Sequence, residues 1–251
     1  MSNISPTPVT TCTASLSRVN VNWSFRFSDT RNYLRNWIIP SGDTAGGSVG
    51  VSDSAFSDWA SFGNPIDAFA EFCLLCQPTS EKLFQYNRCI IHAAAVRFHD
   101  RAFLISAGSG VGKSTQVRTL KDLYPGEITV INGDKPILEC HDDGSVIVHP
   151  SPWNGKEGWH GAEAATLGGI FLLQRGDKNS VMPMKKTSAV SFLYLQIFQS
   201  FTSEKVIRQA GALTEKVLEN TPVWHFVSRD VPDSTQLMYE AMLSEVTSHG
   251  L

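Results

Sequence analysis

Apolar residues in this chain fall into short runs with two distinct spacings. Val19, Val21, Trp23, Phe25 and Phe27 alternate with mostly polar neighbours, the period of a strand with one buried face. Residues 89–98, the run Phe103-Leu104-Ile105, residues 128–132, 168–174 and 223–227 are nearly unbroken, as strands covered on both faces are, with a shorter strand at 181–185. Helical spacing governs residues 66–76, with apolar positions at 66, 69, 70, 73 and 74 and a start near Asn64-Pro65. Gln77-Pro78 interrupts that helix, and a further turn or two is expected over 80–87. Helices are also predicted over 114–124, stopped by Pro125-Gly126, over 187–201 and 203–220, and from Pro232-Asp233 through 244. The 203–220 helix opens on Ser203 with Val206 three positions on, and so lacks the acid of a capping box.

Turn chemistry links these elements. Asp142-Asp143-Gly144 between 137–141 and 145–149 is a hairpin signal, residues 40–54 read as a loop or weak hairpin, and 150–161 form a loop rich in Pro, Gly and Trp. Residues 1–17, dominated by Ser, Thr and Pro, read as a loose tail. Only His99-Asp100-Arg101 separates 89–98 from the next strand, so those two strands must be antiparallel neighbours. A wholly parallel nucleotide-binding core would need a helix there. The class is therefore α/β with a mixed sheet. No internal repeat is visible.

The 251 residues amount to one large domain, or one domain with a small appendage, and 42% apolar against 18% charged residues suits an ordinary globular core. A net charge of −3 without a basic run argues against nucleic acid as a partner. Five cysteines, an odd number spread along the chain, argue against a disulfide framework. Cys73 and Cys76 lack the further ligands of a metal site and read as core thiols. The N-terminus lacks the basic start and apolar centre of a secretory signal, and no apolar run reaches the ~20 residues that cross a bilayer. A cytoplasmic protein without membrane attachment is expected.

The chemistry concentrates at Ala107-Gly108-Ser109-Gly110-Val111-Gly112-Lys113-Ser114-Thr115, between an apolar strand and a helix. Glycines at 108, 110 and 112 permit a curl that turns successive N–H groups inward, and the helix start adds its positive end. Lys113 would reach terminal phosphates, and the Ser114 hydroxyl would hold magnesium. The usual pattern begins with glycine where this chain has Ala107, which removes no N–H. Asp134 leaves the next core strand, where a carboxylate can hold a metal or take a hydroxyl proton. His92 stands on the preceding strand. Lys156, in Trp153-Asn154-Gly155-Lys156, and Arg175 are candidates for charge neutralisation at transferred phosphate. Arg97 and Lys135 are weaker candidates. No Gly-x-Ser-x-Gly elbow or paired metal-binding histidines occur.

In order along the chain, Ile91-His92-Ala93-Ala94-Ala95, the 107–115 loop, Ile131-Asn132-Gly133-Asp134, the Asp142-Asp143-Gly144 hairpin and Pro152-Trp153-Asn154-Gly155-Lys156 resemble the catalytic domain of HPr kinase/phosphorylase and its smaller relatives, in the phosphoenolpyruvate-carboxykinase-like branch of P-loop proteins. The resemblance spans about residues 89–230. It implies a P-loop catalytic domain over 89–251 and a small α+β region of unassigned role over 1–88. It further implies ATP and Mg²⁺, and transfer of the γ-phosphate to a hydroxyl, typically serine, of a protein, peptide or small molecule, with homo-oligomerisation left open. His92, Lys113, Ser114 and Asp134 fall on positions the family uses. The family has two adjacent aspartates where this chain has only Asp134, with Gly133 or Lys135 in the other place. His92 or Glu139 would then have to assist Asp134. The alternative is an ATP-binding regulator or scaffold of the same fold with weak or absent turnover.

Overall fold

The computed structural model describes residues 8–16, 19–26, 33–40, 44–51, 76–151, 153–155, 157, 159, 163–201 and 203–248. Strands β1 (Pro8–Leu16), β2 (Val19–Arg26), β3 (Tyr33–Pro40) and β4 (Thr44–Val51) form an antiparallel sheet in sequence order. β2 occupies the alternating stretch. β1 replaces the expected loose tail, in a segment whose Val9, Thr10, Thr11 and Thr13 are β-branched and favour extended backbone. β4 pairs with β3 from Tyr33↔Val51 to Pro40↔Thr44, so residues 40–54 contain a hairpin arm. Phe27, Trp59, Phe62, Cys73, Lys156 and all but the last residue of the expected 66–76 helix lie outside the described residues. Pro78 stands in the first turn of helix α1 (Cys76–Leu83), where a missing N–H is tolerated, and a 3₁₀ turn (Phe84–Tyr86) follows in place of the helix expected to 87.

A nine-stranded mixed sheet carries the rest. Its strands are β5 (Arg88–Ile90), β6 (Ala93–Phe98), β7 (Arg101–Ser106), β8 (Ile128–Asn132), β9 (Ile137–Cys140), β10 (Val146–His149), β11 (Ala165–Arg175), β12 (Ser180–Pro183) and β13 (Val223–Ser228). They lie in the order β5-β9-β10-β11-β7-β6-β8, with β13 beside the second half of β11 and β12 beyond it. β6 and β7 are antiparallel from Ala93↔Ser106 to Phe98↔Arg101, as the short turn between them requires. β8 also runs against β6, and β11 runs with β7. The C-terminal ends of β7, β8 and β11 and the N-terminal end of β6 therefore open on one edge of the sheet. Open α/β sheets gather their functional side chains at that edge.

Alternating side chains serve the two faces. Leu104, Ile170, Leu172 and Ile131 pack under α3 (Lys186–Tyr194) and α4 (Glu204–Glu219), with Leu193, Leu213 and Val217. Phe103, Ile105, Phe171 and Phe226 pack under α2 (Lys113–Leu123) and α5 (Val231–Ser248), with Val117, Leu120, Met238 and Met242. Among the described residues no helix is long and apolar enough to cross a membrane.

Two elements differ from expectation in ways that shape the site. The single strand predicted over 89–98 breaks at Ile91-His92, and the helix predicted over 187–201 stops at Tyr194. The two breaks hold each other. His92 N donates to Gln196 O (2.8 Å), Phe198 N donates to Ile90 O (2.9 Å), and Ile91 bridges to Ile197. Backbone groups freed by ending the helix are thus satisfied across the sheet edge.

Candidate functional site

Beyond β7 the chain curls through residues 107–112 into α2. Gly110 (φ 76°) and Gly112 (φ 125°) hold conformations that L side chains rarely adopt, and Gly112 is the N-cap of α2. A Cβ at Gly110 would meet nothing within 4 Å, so its backbone angle is what calls for glycine. Gly108, Ser109 and Gly110 are exposed, whereas Lys113 is only 8% exposed. Its ammonium donates to Ala107 O (3.1 Å), so alanine at that corner is compatible with the curl. Ser114 and Thr115 follow in the first turn of α2. Arg175, at the end of β11, donates from Nε to Val111 O (3.1 Å) and braces the outer side of the loop. Buried Gln116 anchors α2 from below, through Nε2 to Ser228 Oγ and Ser234 Oγ (both 3.0 Å), while Thr235 donates to its Oε1 (2.6 Å).

At the exit of β8, Asn132 Oδ1 accepts from the backbone N–H of Asp134 (2.9 Å) and of Lys135 (2.7 Å). This Asx turn swings Asp134 toward β6. Asn132 is itself held by Nδ2 donating to Ser151 O (3.1 Å). His92, released by the strand break, lies with Nε2 2.9 Å from Lys113 Nζ and 3.3 Å from Asp134 Oδ1. One ring nitrogen can accept from the lysine or donate to the carboxylate, but not both at once. Lys135 Nζ donates to the other carboxylate oxygen, Oδ2. Burial works to raise the Asp134 pKa, but hydrogen bonds from His92 and Lys135, with their charges, outweigh it and hold it down at about 2. The Lys113 pKa is lowered, mainly by burial, against an opposing pull from Asp134.

The loop after β10 lies directly over Asp134. A Cβ on Gly133 would stand 2.5 Å from Asn154 O, and one on Gly155 (φ 77°) would stand 2.9 Å from Asp134 Cβ. Trp153 beneath is 3% exposed. Among the described residues this loop reaches Asp134 at Gly155. On the other side of the glycine loop a cleft of about 440 Å³ is lined by Ser106, Gly108, Val111, Leu172, Arg175 and Phe192, among others.

His92, Lys113 and Asp134 are thus brought together, with Ser114 on the adjoining helix turn and Arg175 behind the loop. Arg97 is not with them: its Nε donates to His99 O (3.0 Å) at the far end of β6. Glu139, expected to assist Asp134, instead binds buried Arg88 (2.9 Å) and His149 (3.0 Å). Cys76 is buried, Cys89 and Cys140 are buried free thiols, and burial pushes the Cys140 pKa up to about 12. Sequence reasoning missed Asn132, Ser151 and Gln116. An Asn-Gly-Asp run at a strand exit is a readable Asx-turn signal that would have found the first. The partners of Ser151 and Gln116 depend on tertiary contacts alone.

Exposed Gly108 and Gly110, the start of α2 at Gly112 and the Lys113 ammonium lie within six residues, and groups of these kinds fit a nucleotide's phosphates. Ser114 and Asp134 are oxygen ligands of the kind magnesium takes. Both oxygens of Asp134, however, are already engaged by His92 and Lys135.

No protein-family model matches the chain, and no curated protein matches it in sequence. Among solved structures it is similar to the Hpr(Ser) kinase/phosphatase from Coxiella burnetii, at 9% identity and a TM-score of 0.38, over 62% of this chain and 97% of that one.

Proposed function

We propose that this chain is an ATP-dependent phosphotransferase that moves the γ-phosphate to a hydroxyl, a serine of a small protein or peptide or the alcohol of a small molecule. The observation that carries this reading is the meeting of Lys113, His92 and Asp134 at the mouth of the glycine loop. The amides from Gly108 to Thr115 and the Lys113 ammonium hold the phosphates. A magnesium ion arriving with the nucleotide, on Ser114 and Asp134, would supply charge neutralisation at the phosphate oxygens. Asp134 orients the acceptor hydroxyl and takes its proton as the new oxygen–phosphorus bond forms and the bond to the β-phosphate oxygen breaks, releasing ADP. A carboxylate with a pKa near 2 is a weak base. Orientation therefore outweighs proton removal, as a loose phosphoryl transition state allows. His92 stands between the phosphate side and the acceptor side, its Nε2 bonding either Lys113 or Asp134.

A second reading is a nucleotide-binding regulator without turnover, favoured by the ion pair of Lys135 with Asp134. The two separate on incubation of the protein with γ-labelled ATP, magnesium and a panel of serine-containing peptides and small alcohols. The kinase reading expects label on an acceptor, lost in Asp134→Asn while ATP still binds. ATP binding with no transfer to any acceptor, the same in wild type and Asp134→Asn, favours the regulator.

A further inference from the structure

We propose that Lys135 is a built-in counter-cation of Asp134, which bars a divalent ion from that carboxylate until a nucleotide brings one. The inference refines the phosphotransferase reading, because it concerns how metal enters the same site. A second acid beside Asp134 in the chain could stand only at position 133 or 135. Gly133 cannot carry a side chain, since its Cβ would lie 2.5 Å from Asn154 O. The remaining neighbour of Asp134 is Lys135, so the place open to a second negative charge holds a positive one.

Lys135 is fixed at four points rather than trailing into solvent. Its N–H donates to Asn132 Oδ1 (2.7 Å), and its carbonyl accepts from Ser151 Oγ. Its ammonium rests on Asp134 Oδ2 and lies 5.5 Å from the centre of the Phe198 ring. Phe198 is itself held in place by the bond from its N–H to Ile90 O (2.9 Å). With only 23% of its side chain exposed, Lys135 has no long solvated excursion to make. With His92 on Oδ1, each carboxylate oxygen already faces a nitrogen. A dication approaching Asp134 meets a fixed ammonium across one carboxylate, in a site partly shielded from water, where like charges repel more strongly than in solution. At Asp134 the bare protein therefore offers no divalent site. One forms only when phosphate oxygens and the Ser114 hydroxyl supply the missing ligands.

The test reads Mn²⁺ directly, by the paramagnetic resonance of the free ion, with the full chain and no nucleotide. Thermal melts verify that each variant is folded. Wild type is expected to leave Mn²⁺ free at protein concentrations where Lys135→Met binds it about tenfold more tightly or better. Adding Asp134→Asn to Lys135→Met should abolish the gain. Lys135→Gln, which keeps a donor but no charge, should behave as Lys135→Met does and substitutes for it if the methionine variant melts early. The proposal is overturned if neither variant binds Mn²⁺ more tightly than wild type, or if the gain survives loss of the carboxylate. Fluorescent ATP added to the same preparations separates this outcome from the kinase reading. Absent ATP binding in every variant removes the phosphotransferase and leaves the Mn²⁺ result standing.

Discussion

Glu139→Gln probes the most deeply buried ion pair of the described residues. Glu139 is 6% exposed, Arg88 4% and His149 0%. Arg88 NH2 donates to Oε1 (2.9 Å) and His149 Nε2 to Oε2 (3.0 Å), while Arg88 Nε and NH1 are buried without partners. Glutamine keeps the shape but leaves the guanidinium without its counter-charge. Breaking a buried pair from one side costs about 3–5 kcal/mol. A second route gives the same size. Burial alone would raise the Glu139 pKa, but the bonds and charges of His149 and Arg88 hold it from 4.5 down to about 2. A depression of that size corresponds to about 3 kcal/mol. Because the folded pKa is the depressed one, this stability is full above the unfolded pKa near 4.5. It drains away as pH falls toward 2. Urea titrations of wild type and Glu139→Gln should therefore differ by about 3 kcal/mol at pH 7, and the difference should shrink steadily between about pH 4.5 and 2, as the carboxyl protonates first in the unfolded and then in the folded state. Replacing the pair together, Arg88→Met with Glu139→Leu, should cost less than Glu139→Gln alone. A difference below about 1 kcal/mol at pH 7, or one that persists unchanged at pH 2, refutes the reasoning.

Two further variants test how the site is held. Gly133→Ala places a methyl 2.5 Å from Asn154 O and should cost about 1–3 kcal/mol while lifting the loop off Asp134. Red-shifted emission, as the buried Trp153 becomes wet, together with a lower melting temperature, checks this in one experiment. Gln116→Leu removes three bonds that tie α2 to β13 and α5. Because Ser228 and Ser234 also bond each other (2.8 Å), a loss of about 1–3 kcal/mol is expected, read as a drop of a few degrees in melting temperature.

The parts of the fold written in local chemistry were legible in advance. The two residues between β6 and β7 leave no room for a crossover, which fixes their antiparallel pairing. Asp142-Asp143-Gly144 gives the β9–β10 hairpin with Gly144 at φ 79°. The glycine run before Lys113 marks where strand becomes helix, and Asp134 sits at the next strand exit. What escaped the sequence depends on distant partners. Nothing in Ile91-His92-Ala93 announces a break, because the run is nearly all apolar and bonds to distant groups, among them Gln196, Pro136 and Asp134, impose it. The periodicity of α3 likewise runs on past Tyr194, and pairing of Ile197 with Ile91 overrides it. Lys135 reads in sequence only as a weaker candidate for the site. Its weight appears only once Asn132, Ser151 and Phe198 are seen to pin it on the carboxylate.

The claim on which the rest stands is that the hollow formed by residues 107–115 takes a nucleotide's phosphates. Calorimetric titration of the purified chain with ATP and magnesium, alongside Lys113→Ala checked for an unchanged melt, tests it most directly. The account predicts saturable one-to-one binding by wild type, weakened about tenfold or more when the ammonium is removed. No heat of binding from wild type, or equal affinity in the folded Lys113→Ala variant, would contradict it.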